Sequence, residues 1–290
     1  MAHDLYTIEE LGEMFPGLSS PKGHKVFSKL EKISGLKQLG EIYRECSDFT
    51  GPDMAHELVK HYGIDYELGG LPLADLPEGP FITISNHPYG GADGLALIDF
   101  LGHTRPDMKV MVNKILGMAK GVRENMITVT PTGEIREAAS PESIRGIKQS
   151  IEQIRNGGVL CLFPSGAVSD YNLKEMRVRD REWQIPAIKL IKKLNVPVVP
   201  IRFYDRNSAF FYFLGLIDWK VRLLRLPREV MNKKGKHVRI GIGAPIPASK
   251  IQEFDTLEGL RDYLRSSVYD MPRPKSFIKR DDLVYPTRNE

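Results

Sequence analysis

The residues best suited to chemistry are a histidine and an aspartate on either side of a glycine-bearing loop. The segment starting at Phe81 reads FITISNHPYGGADGLAL, and its first five residues have the composition of a buried strand. His87 follows that strand, and Asp93 lies where a run of helix-forming residues begins. A carboxylate on one imidazole nitrogen fixes the ring tautomer and leaves the other nitrogen free to accept a proton. This pair therefore has the residue types of a general base that activates a hydroxyl.

The spacing of the two residues requires a folded loop between them. Six positions do not match the helical i, i+4 repeat, so a regular helix would not bring the side chains together. Pro88 disfavours the helical region for His87, and Gly90 and Gly91 permit backbone turns that other residues avoid. We predict that this loop brings the Asp93 carboxylate to the imidazole. The residues alone leave a second interpretation open, in which His87 is an ordinary loop residue and Asp93 only caps the helix.

The pattern of the chain predicts an α/β fold. It is a mixed, largely parallel sheet covered by helices, with an N-terminal helical segment before it. Predicted strands span Phe81–Ser85, Lys109–Val112, Met126–Val129, Val159–Phe163, Val198–Phe203 and His237–Ile242. Predicted helices span Thr7–Met14, His24–Leu39, Asp53–Tyr62, Asp93–Leu101, Ile115–Val122, Pro141–Arg155, Ile185–Leu194 and Leu257–Val268. We expect three parts: the helical segment over residues 1–70, a main domain over 71–270 and a surface tail over 271–290.

The motifs, taken together, resemble a known family. His87 and Asp93 resemble the first motif of glycerolipid acyltransferases related to lysophosphatidic acid acyltransferase. The five residues between them resemble the variant of a hemolysin-like branch that includes lyso-ornithine-lipid and lyso-glycine-lipid O-acyltransferases. Three further blocks, Val112–Gly117, Leu162–Ser169 and Val196–Ile201, resemble later family segments in the expected order. The resemblance covers roughly residues 75–245 and implies an acyltransferase domain over 71–270.

The resemblance also implies which residues contact the substrates. His87 is expected to act as general base with Asp93 orienting it, and the expected substrate-binding residues are Asn86, Lys114, Arg136, Ser165 and Gly166. Gly166 follows a predicted strand and is placed to offer backbone N–H groups to an oxyanion. Lys114 has an equally simple interpretation as a solvated lysine, and Arg136 as a solvated charge at a helix end.

Two departures from the family pattern concern the acceptor. The second block usually carries an Arg, but here the strand Met126–Val129 runs into Thr130 and Pro131; the third block has Ser165 in place of a Glu. An arginine holds a phosphate with a planar pair of donors, which Thr and Pro cannot provide. We therefore expect O-acylation of a lyso-aminolipid in lipid biosynthesis. A 1-acylglycerol-3-phosphate acyltransferase is the alternative within the family, and a thioesterase or a non-catalytic lipid-binding protein lies outside it.

An aromatic and basic stretch predicts contact with a membrane. Residues 203–226 combine aromatic side chains with arginines and a lysine, a composition that suits an anionic lipid surface. A buried hairpin or helix with a solvated basic face is the other interpretation. The residues expected to contact the membrane are Phe210, Phe211, Phe213, Trp219, Lys220 and Arg222.

The composition fits a cytoplasmic protein that is peripherally associated with the inner face of the cell membrane. The chain has 290 residues with a net charge of +4 and two cysteines, Cys46 and Cys161, which fit a reducing compartment. We recognise no signal peptide near Met1 and no run of roughly 20 apolar residues. The spacing of His and Cys predicts no metal site, and no module for nucleic acid is recognisable. We expect no cofactor, and acyl carrier protein or coenzyme A as the carrier of the acyl group.

Overall fold

The fold is built on an eight-stranded sheet. The computed structural model describes residues 4–6, 20–130 and 140–286. The strands of the sheet lie in the order β10-β1-β9-β8-β2-β5-β3-β4, and a separate hairpin consists of β6 and β7. The strands are β1 (Tyr66–Gly70), β2 (Phe81–Ser85), β3 (Lys109–Asn113), β4 (Met126–Val129), β5 (Val159–Leu162), β6 (Asp170–Asn172), β7 (Arg177–Arg179), β8 (Val198–Phe203), β9 (Val238–Ile242) and β10 (Ile278–Lys279).

Most neighbouring strands of the sheet are parallel, and helices cover it. Only the β8–β9 and β1–β10 pairs are antiparallel. The predicted mixed, largely parallel α/β sheet is confirmed, as are helices at the N-terminal end. The helices are α1 (Pro21–Ser34), α2 (Leu36–Glu45), α3 (Gly51–His61), α4 (Gly91–Thr104), α5 (Pro141–Arg155), α6 (Ile185–Leu194), α7 (Ala209–Ile217), α8 (Trp219–Met231), α9 (Ala248–Gln252) and α10 (Leu257–Tyr269).

The central strands are buried on both faces. In β2, Phe81 joins the larger apolar core together with residues of α3 and α4, whereas Ile82 joins a second core with residues of α6 and α10. In β5, Val159 and Leu160 divide between the two cores in the same way. Side chains alternate between the faces of a strand, so a sheet with helices on both sides buries both sets of side chains, and most of them are apolar. This explains the continuous apolar runs in the sequence.

Several element bounds were predicted correctly. Three strands, β2, β4 and β8, and two helices, α5 and α6, have the predicted limits. The predicted helix His24–Leu39 is wrong as a single element, because Gly35 has a φ of 84° and separates α1 from α2. The predicted helix Thr7–Met14 lies outside the described residues.

The predicted helix Ile115–Val122 is also wrong. The segment forms two 3₁₀ helices, Lys114–Met118 and Lys120–Asn125. It contains two glycines, which disfavour a regular helix, and it is pressed against its neighbours. A Cβ at Gly117 would lie 2.6 Å from the Thr128 side chain, and one at Gly121 would lie 1.9 Å from the Met54 sulfur. Close packing therefore dictates the path of this segment.

Four of the described strands were not predicted: β1, β10 and the two strands of the β6–β7 hairpin. β1 lies within the segment expected to be helical, and it pairs in parallel with β9. β10 lies within the expected surface tail and pairs with β1 through Glu67 and Leu68. The division at residues 70 and 270 remains a prediction. Among the described residues, no helix is both long enough and apolar enough to span a bilayer.

Candidate active site

The carboxyl ends of three parallel strands form the candidate site. β2 lies between β8 and β5 and is parallel to both, so the loops that follow these strands leave the same edge of the sheet. His87 follows β2 and Phe163 follows β5. The two rings stack with centroids 4.2 Å apart and planes 30° apart. Crevices at the carboxyl ends of strands are common binding sites in open α/β sheets.

His87 and Asp93 are in direct contact, as the sequence of the loop between them predicted. Nδ1 of His87 lies 2.9 Å from Oδ2 of Asp93, and the Asp93 side chain is fully buried in the first turn of α4. The same oxygen accepts hydrogen bonds from the backbone N–H groups of Tyr89, at 2.9 Å, and Gly90, at 3.1 Å. Gly90 has a φ of 74°, which favours glycine. The loop thus wraps around one carboxylate oxygen.

The contact between the two side chains is close but imperfectly aligned. Nδ1 of His87 forms no well-directed hydrogen bond with any described residue, although its distance to the Asp93 carboxylate is that of a hydrogen bond. Catalytic hydrogen bonds are often poorly aligned before substrate binds, and a small rotation of the ring would complete this one. With the carboxylate at Nδ1, Nε2 is the nitrogen left to take a proton, and the His87 side chain retains 16% exposure.

Burial makes the Asp93 charge costly. Desolvation raises the pKa of Asp93, whereas the contact with His87 and the N–H of Tyr89 lower it. Because the pKa is raised, ionisation of this carboxylate costs more free energy in the folded chain than in the unfolded chain.

A second buried aspartate holds the backbone of His87. The N–H of His87 donates to Oδ1 of Asp180 at 3.1 Å, and the hydroxyl of Ser169 donates to the same oxygen at 2.5 Å. The indole N–H of Trp183 donates to Oδ2 at 3.1 Å. Sequence analysis missed Asp180, because it lies 93 residues from His87 and belongs to no recognised motif.

Asn86 joins the ends of two strands. Its amide nitrogen donates to the carbonyl of Phe203 at 2.9 Å, and its amide oxygen accepts from the N–H of Phe203 at 2.8 Å. Both polar groups of the side chain are therefore engaged with β8. This position supports a structural role, and the predicted contact of Asn86 with substrate would require these bonds to open.

Ser165 and Gly166 form a closed turn after β5. The hydroxyl of Ser165 donates to the carbonyl of Ala167 at 2.8 Å. The N–H of Gly166 donates to the carbonyl of Phe163 at 3.0 Å, and Gly166 has a φ of 64°. The expectation that this N–H is free for an oxyanion is thus wrong in the described conformation. Its predicted role requires the turn to change.

The other two predicted binding residues are Lys114 and Arg136. Lys114 is exposed, and its ammonium lies 3.9 Å from the carboxylate of Glu142. Arg136 lies outside the described residues. Their roles in substrate binding remain predictions.

A buried lysine and an asparagine support the loop from the side of α8, and sequence analysis missed both roles. Asn207 donates to the carbonyl of Pro88 at 3.0 Å, and its amide oxygen accepts a hydrogen bond from the ammonium of Lys233. This ammonium lies 4.4 Å from the centre of the Tyr89 ring. Burial lowers the pKa of Lys233 to about 8. In the sequence, Lys233 was one of several basic residues, with no signal to separate it from solvated ones.

The predicted membrane-contact residues divide into two groups. Phe210, Phe213 and Trp219 are each more than half exposed. For Phe211 and Arg222, exposure to a membrane is contradicted because both are buried. Lys220 lies in α8, and its side chain is outside the description.

The two buried members of this set pack together. The guanidinium of Arg222 lies 5.3 Å from the centre of the Phe211 ring, donates to the carbonyl of Ser169 at 3.2 Å and pairs with Asp170. Their positions follow from the helical period, which turns only one side of α7 and α8 outwards.

Replacement of Asp93 by Asn tests the cost of the buried charge. The pKa of Asp93 is higher in the folded chain than in the unfolded one, so ionisation of the carboxylate lowers stability as pH rises between these values. We expect Asp93→Asn to become increasingly stable relative to the parent as pH rises above the ordinary aspartate pKa of about 4. Urea unfolding at several pH values measures this difference. Asp65→Asn removes an exposed carboxylate and is the control; a difference for Asp93→Asn that does not grow with pH contradicts the prediction.

Comparisons with known proteins identify the family. Two curated relatives carry the name lyso-glycine lipid O-acyltransferase. The relative from Bacteroides thetaiotaomicron is 28% identical over 87% of this chain and 93% of its own length, and the relative from Phocaeicola vulgatus is 27% identical over 85% and 87%. A crystal structure of the 1-acyl-sn-glycerophosphate (LPA) acyltransferase PlsC from Thermotoga maritima aligns with a TM-score of 0.45 and 18% identity, covering 75% of this chain and 79% of that one. The family profile described as Acyltransferase matches residues 25–274, so this chain belongs to the acyltransferase family and is an enzyme that transfers acyl groups.

Proposed function

We propose that this enzyme moves a fatty acyl group from a carrier thioester onto the hydroxyl of a lyso-aminolipid, with a lyso-glycine lipid as the best-supported acceptor. The observation that carries the proposal is the contact between His87 and a buried Asp93 at the carboxyl end of β2. The two relatives named as lyso-glycine lipid O-acyltransferases align over most of this chain and support the choice of acceptor. The carrier of the acyl group is acyl carrier protein or coenzyme A, and no metal or other cofactor takes part.

The reaction is a direct transfer with His87 as general base. Nε2 of His87 takes the proton as the acceptor oxygen attacks the thioester carbonyl. The carbon–sulfur bond then breaks, the ester remains on the acceptor, and the thiol leaves with the proton from His87. Asp93 holds the tautomer and stabilises the imidazolium that forms between the two steps. Transfer through a positioned base is worth roughly 10²–10⁴ in rate.

The expected binding residues complete the proposal. Lys114 and Arg136 are proposed to contact substrate, and Ser165 and Gly166 are proposed to line the acyl carbonyl. Donation from Gly166 requires its bond to Phe163 to open when substrate binds. Gly166 has a φ of 64° and no Cβ, so its backbone can rotate without a steric clash of a side chain. This is a reason for glycine at this position.

The end of β4 supports an acceptor other than a phosphomonoester. Thr130 follows β4, where the family pattern usually has an arginine, and its hydroxyl donates to the carboxylate of Glu142 at 3.2 Å. A carboxylate beside Thr130 repels a doubly charged phosphate, and Thr130 offers no guanidinium to offset that repulsion. Lys114 lies 3.9 Å from the same carboxylate, which reduces the positive charge available there.

His87 can be tested against a matched histidine in the same protein. His103 also contacts a buried aspartate, Asp99, but this contact raises its pKa to about 9. His103 is therefore charged at neutral pH and cannot serve as a base. We expect His87→Ala to lose at least about 10²-fold in transfer rate and His103→Ala to retain the parent rate per folded molecule. Radiolabelled acyl transfer measures both.

The two variants also separate the rival functions. Undiminished transfer by His87→Ala would refute the proposed base. A parent enzyme that binds lipid without transfer would be a lipid-binding protein. One that releases free fatty acid in the presence of acceptor would be a thioesterase.

The acceptor is tested by direct competition. We expect kcat/KM for a lyso-glycine lipid to exceed that for lysophosphatidic acid by about tenfold or more, because Thr130 offers no guanidinium to a phosphate and the nearby Lys114 is paired with Glu142. Both acceptors are compared with the same acyl donor in mixed micelles of fixed composition. A preference for lysophosphatidic acid would identify the enzyme as a 1-acylglycerol-3-phosphate acyltransferase.

We further propose that α7 and α8 bring the enzyme to the inner face of the cell membrane. Their outward side, here called the apolar hairpin, presents large apolar side chains that are 39–66% exposed. A continuous exposed apolar surface of this kind, with basic residues on the same helices, suits a lipid interface. Its members are Phe210, Phe213, Leu216, Ile217, Trp219, Val221, Leu223 and Leu224. Lys220 is proposed to face the same lipids.

Substitution of two phenylalanines tests the membrane proposal. Full burial of one such side chain is worth about 1.5–3 kcal/mol, so Phe210→Ser with Phe213→Ser should lower partition onto vesicles by at least about tenfold. Sedimentation with vesicles of phosphatidylethanolamine and phosphatidylglycerol measures the partition. Leu173→Ser with Val284→Ser changes two exposed apolar residues outside the apolar hairpin and should leave partition unchanged. Equal losses in the two variants, or no loss in either, would refute the assignment of this surface.

A further inference from the structure

A groove of about 930 Å³ lies between the N-terminal helices and α8. It is bounded by the end of α1 and by α2 on one side and by the second half of α8 on the other. We call it the basic groove, because six basic residues line it: Lys32, Lys37, His61, Arg225, Arg228 and Lys234. The mechanism proposed above does not use it.

Much of the positive charge in the basic groove is not neutralised. Lys37 pairs with Glu41 at 3.6 Å, and Arg225 pairs with the buried Glu229 at 3.3 Å. Within the described part of the chain, Lys32, Arg228 and Lys234 have no acidic side chain within ion-pair distance, and all three are exposed. Uncompensated cations on two facing walls attract an anionic partner.

The walls of the basic groove are held at fixed positions. A Cβ at Gly35, in the turn between α1 and α2, would lie 3.3 Å from Cα of Arg228. A Cβ at Gly63 would lie 3.0 Å from Cβ of Lys234. Glycines with φ values of 84° and 68° thus let the N-terminal helices approach α8 at two points. The groove between these points is a consequence of the packing rather than a gap between loosely associated parts.

α8 connects the basic groove to the loop from His87 to Asp93, here called the catalytic loop. A Cβ at Gly90 would lie 3.3 Å from the side chain of Leu226, and Lys233, just after α8, lies over the Tyr89 ring. Arg225 and Arg228 project from α8 into the groove. The groove and the catalytic loop therefore lie on two sides of one helix, and a helix with its side chains is about 10–12 Å across.

The lining of the basic groove has the character of a protein interface. Ile42, Tyr62 and Met231 contribute apolar surface, and the exposed cations stand around it. Apolar centres with charged rims are typical of protein interfaces, and grooves between helices commonly accept an amphipathic helix. Mobile exposed lysines do not form the buried, bidentate donor set by which proteins fix a nucleotide phosphate.

We propose that the basic groove docks an acidic amphipathic helix of the protein that carries the acyl thioester. The proposal rests on the acyl transfer proposed above and selects a carrier protein over free coenzyme A as the donor that this surface recognises. Docking on one side of α8 would place the prosthetic arm of the carrier near the loop that holds His87. It also assigns a role to the N-terminal helices, which form one wall of the groove.

Charge reversal on one wall tests the proposal. We expect Arg228→Glu with Lys234→Glu to raise KM for an acyl carrier protein thioester by about tenfold or more, because like charges would face each other across the interface. kcat should be unchanged, since neither residue contacts the catalytic loop. The KM for acyl-pantetheine, which lacks the carrier protein, should also be unchanged. Lys189→Glu with Lys193→Glu reverses two exposed charges on α6 and should affect neither donor.

The outcomes separate this proposal from the proposed function. An unchanged KM for the carrier thioester would overturn the docking site, as would an equal rise with acyl-pantetheine. Loss of vesicle binding with an unchanged KM for the carrier would assign the groove to anionic lipid and overturn the proposal too. Titration of the parent with acyl carrier protein measures docking without turnover, so weakened binding by the groove variant supports the site even if the acceptor has been misidentified.

Discussion

The buried Asp93 carboxylate is the group on which the arrangement of the site depends. A carboxylate without solvent is costly, and the protein offsets part of this cost locally with His87 and with the N–H groups of the loop between the two residues. The loop must fold tightly to direct those N–H groups at one oxygen, which is why Gly90 has a positive φ. Burial of the charge, the conformation of the loop and the orientation of the imidazole therefore depend on one another. A change in any of them alters the others.

Around this pair, buried polar residues hold the parts of the candidate site in place. Asn86 fastens the end of β2 to β8 with two hydrogen bonds, and Asp180 holds the backbone of His87. Lys233 and Asn207 support the same loop from the side of α8. These polar groups are buried, so each must be satisfied within the protein, and their partners come from distant parts of the chain. The acyltransferase site is thus a polar network enclosed by an apolar core.

The separation in sequence between contacting residues explains which features could be predicted. The strand before His87 and the turn-forming glycines are local features, so the contact with Asp93 could be predicted from seventeen consecutive residues. Asp180 could not, because its partner lies 93 residues away. Phe211 and Phe213 look alike in composition, and only the way that α7 packs makes one buried and the other exposed. β10 is a two-residue strand in a polar stretch, and its pairing with β1 decides its conformation. Local patterns therefore predicted the contact between His87 and Asp93, whereas contacts at long range decided which neighbours support it.

α8 shows how one helix can serve several surfaces. Residues 222, 226 and 229 recur at intervals of three or four and turn inwards, where they meet Asp170, the catalytic loop and Ser208. Arg225 and Arg228 line the basic groove, and Val221 lies on nearly the same side of the helix, in an earlier turn, where it is exposed with the apolar hairpin. The helical period separates the inward side from the outer one, and position along the helix separates the basic groove from the apolar hairpin. Because one helix carries all three surfaces, the proposed partner in the basic groove and the proposed membrane at the apolar hairpin would both contact the element that packs against the loop of His87.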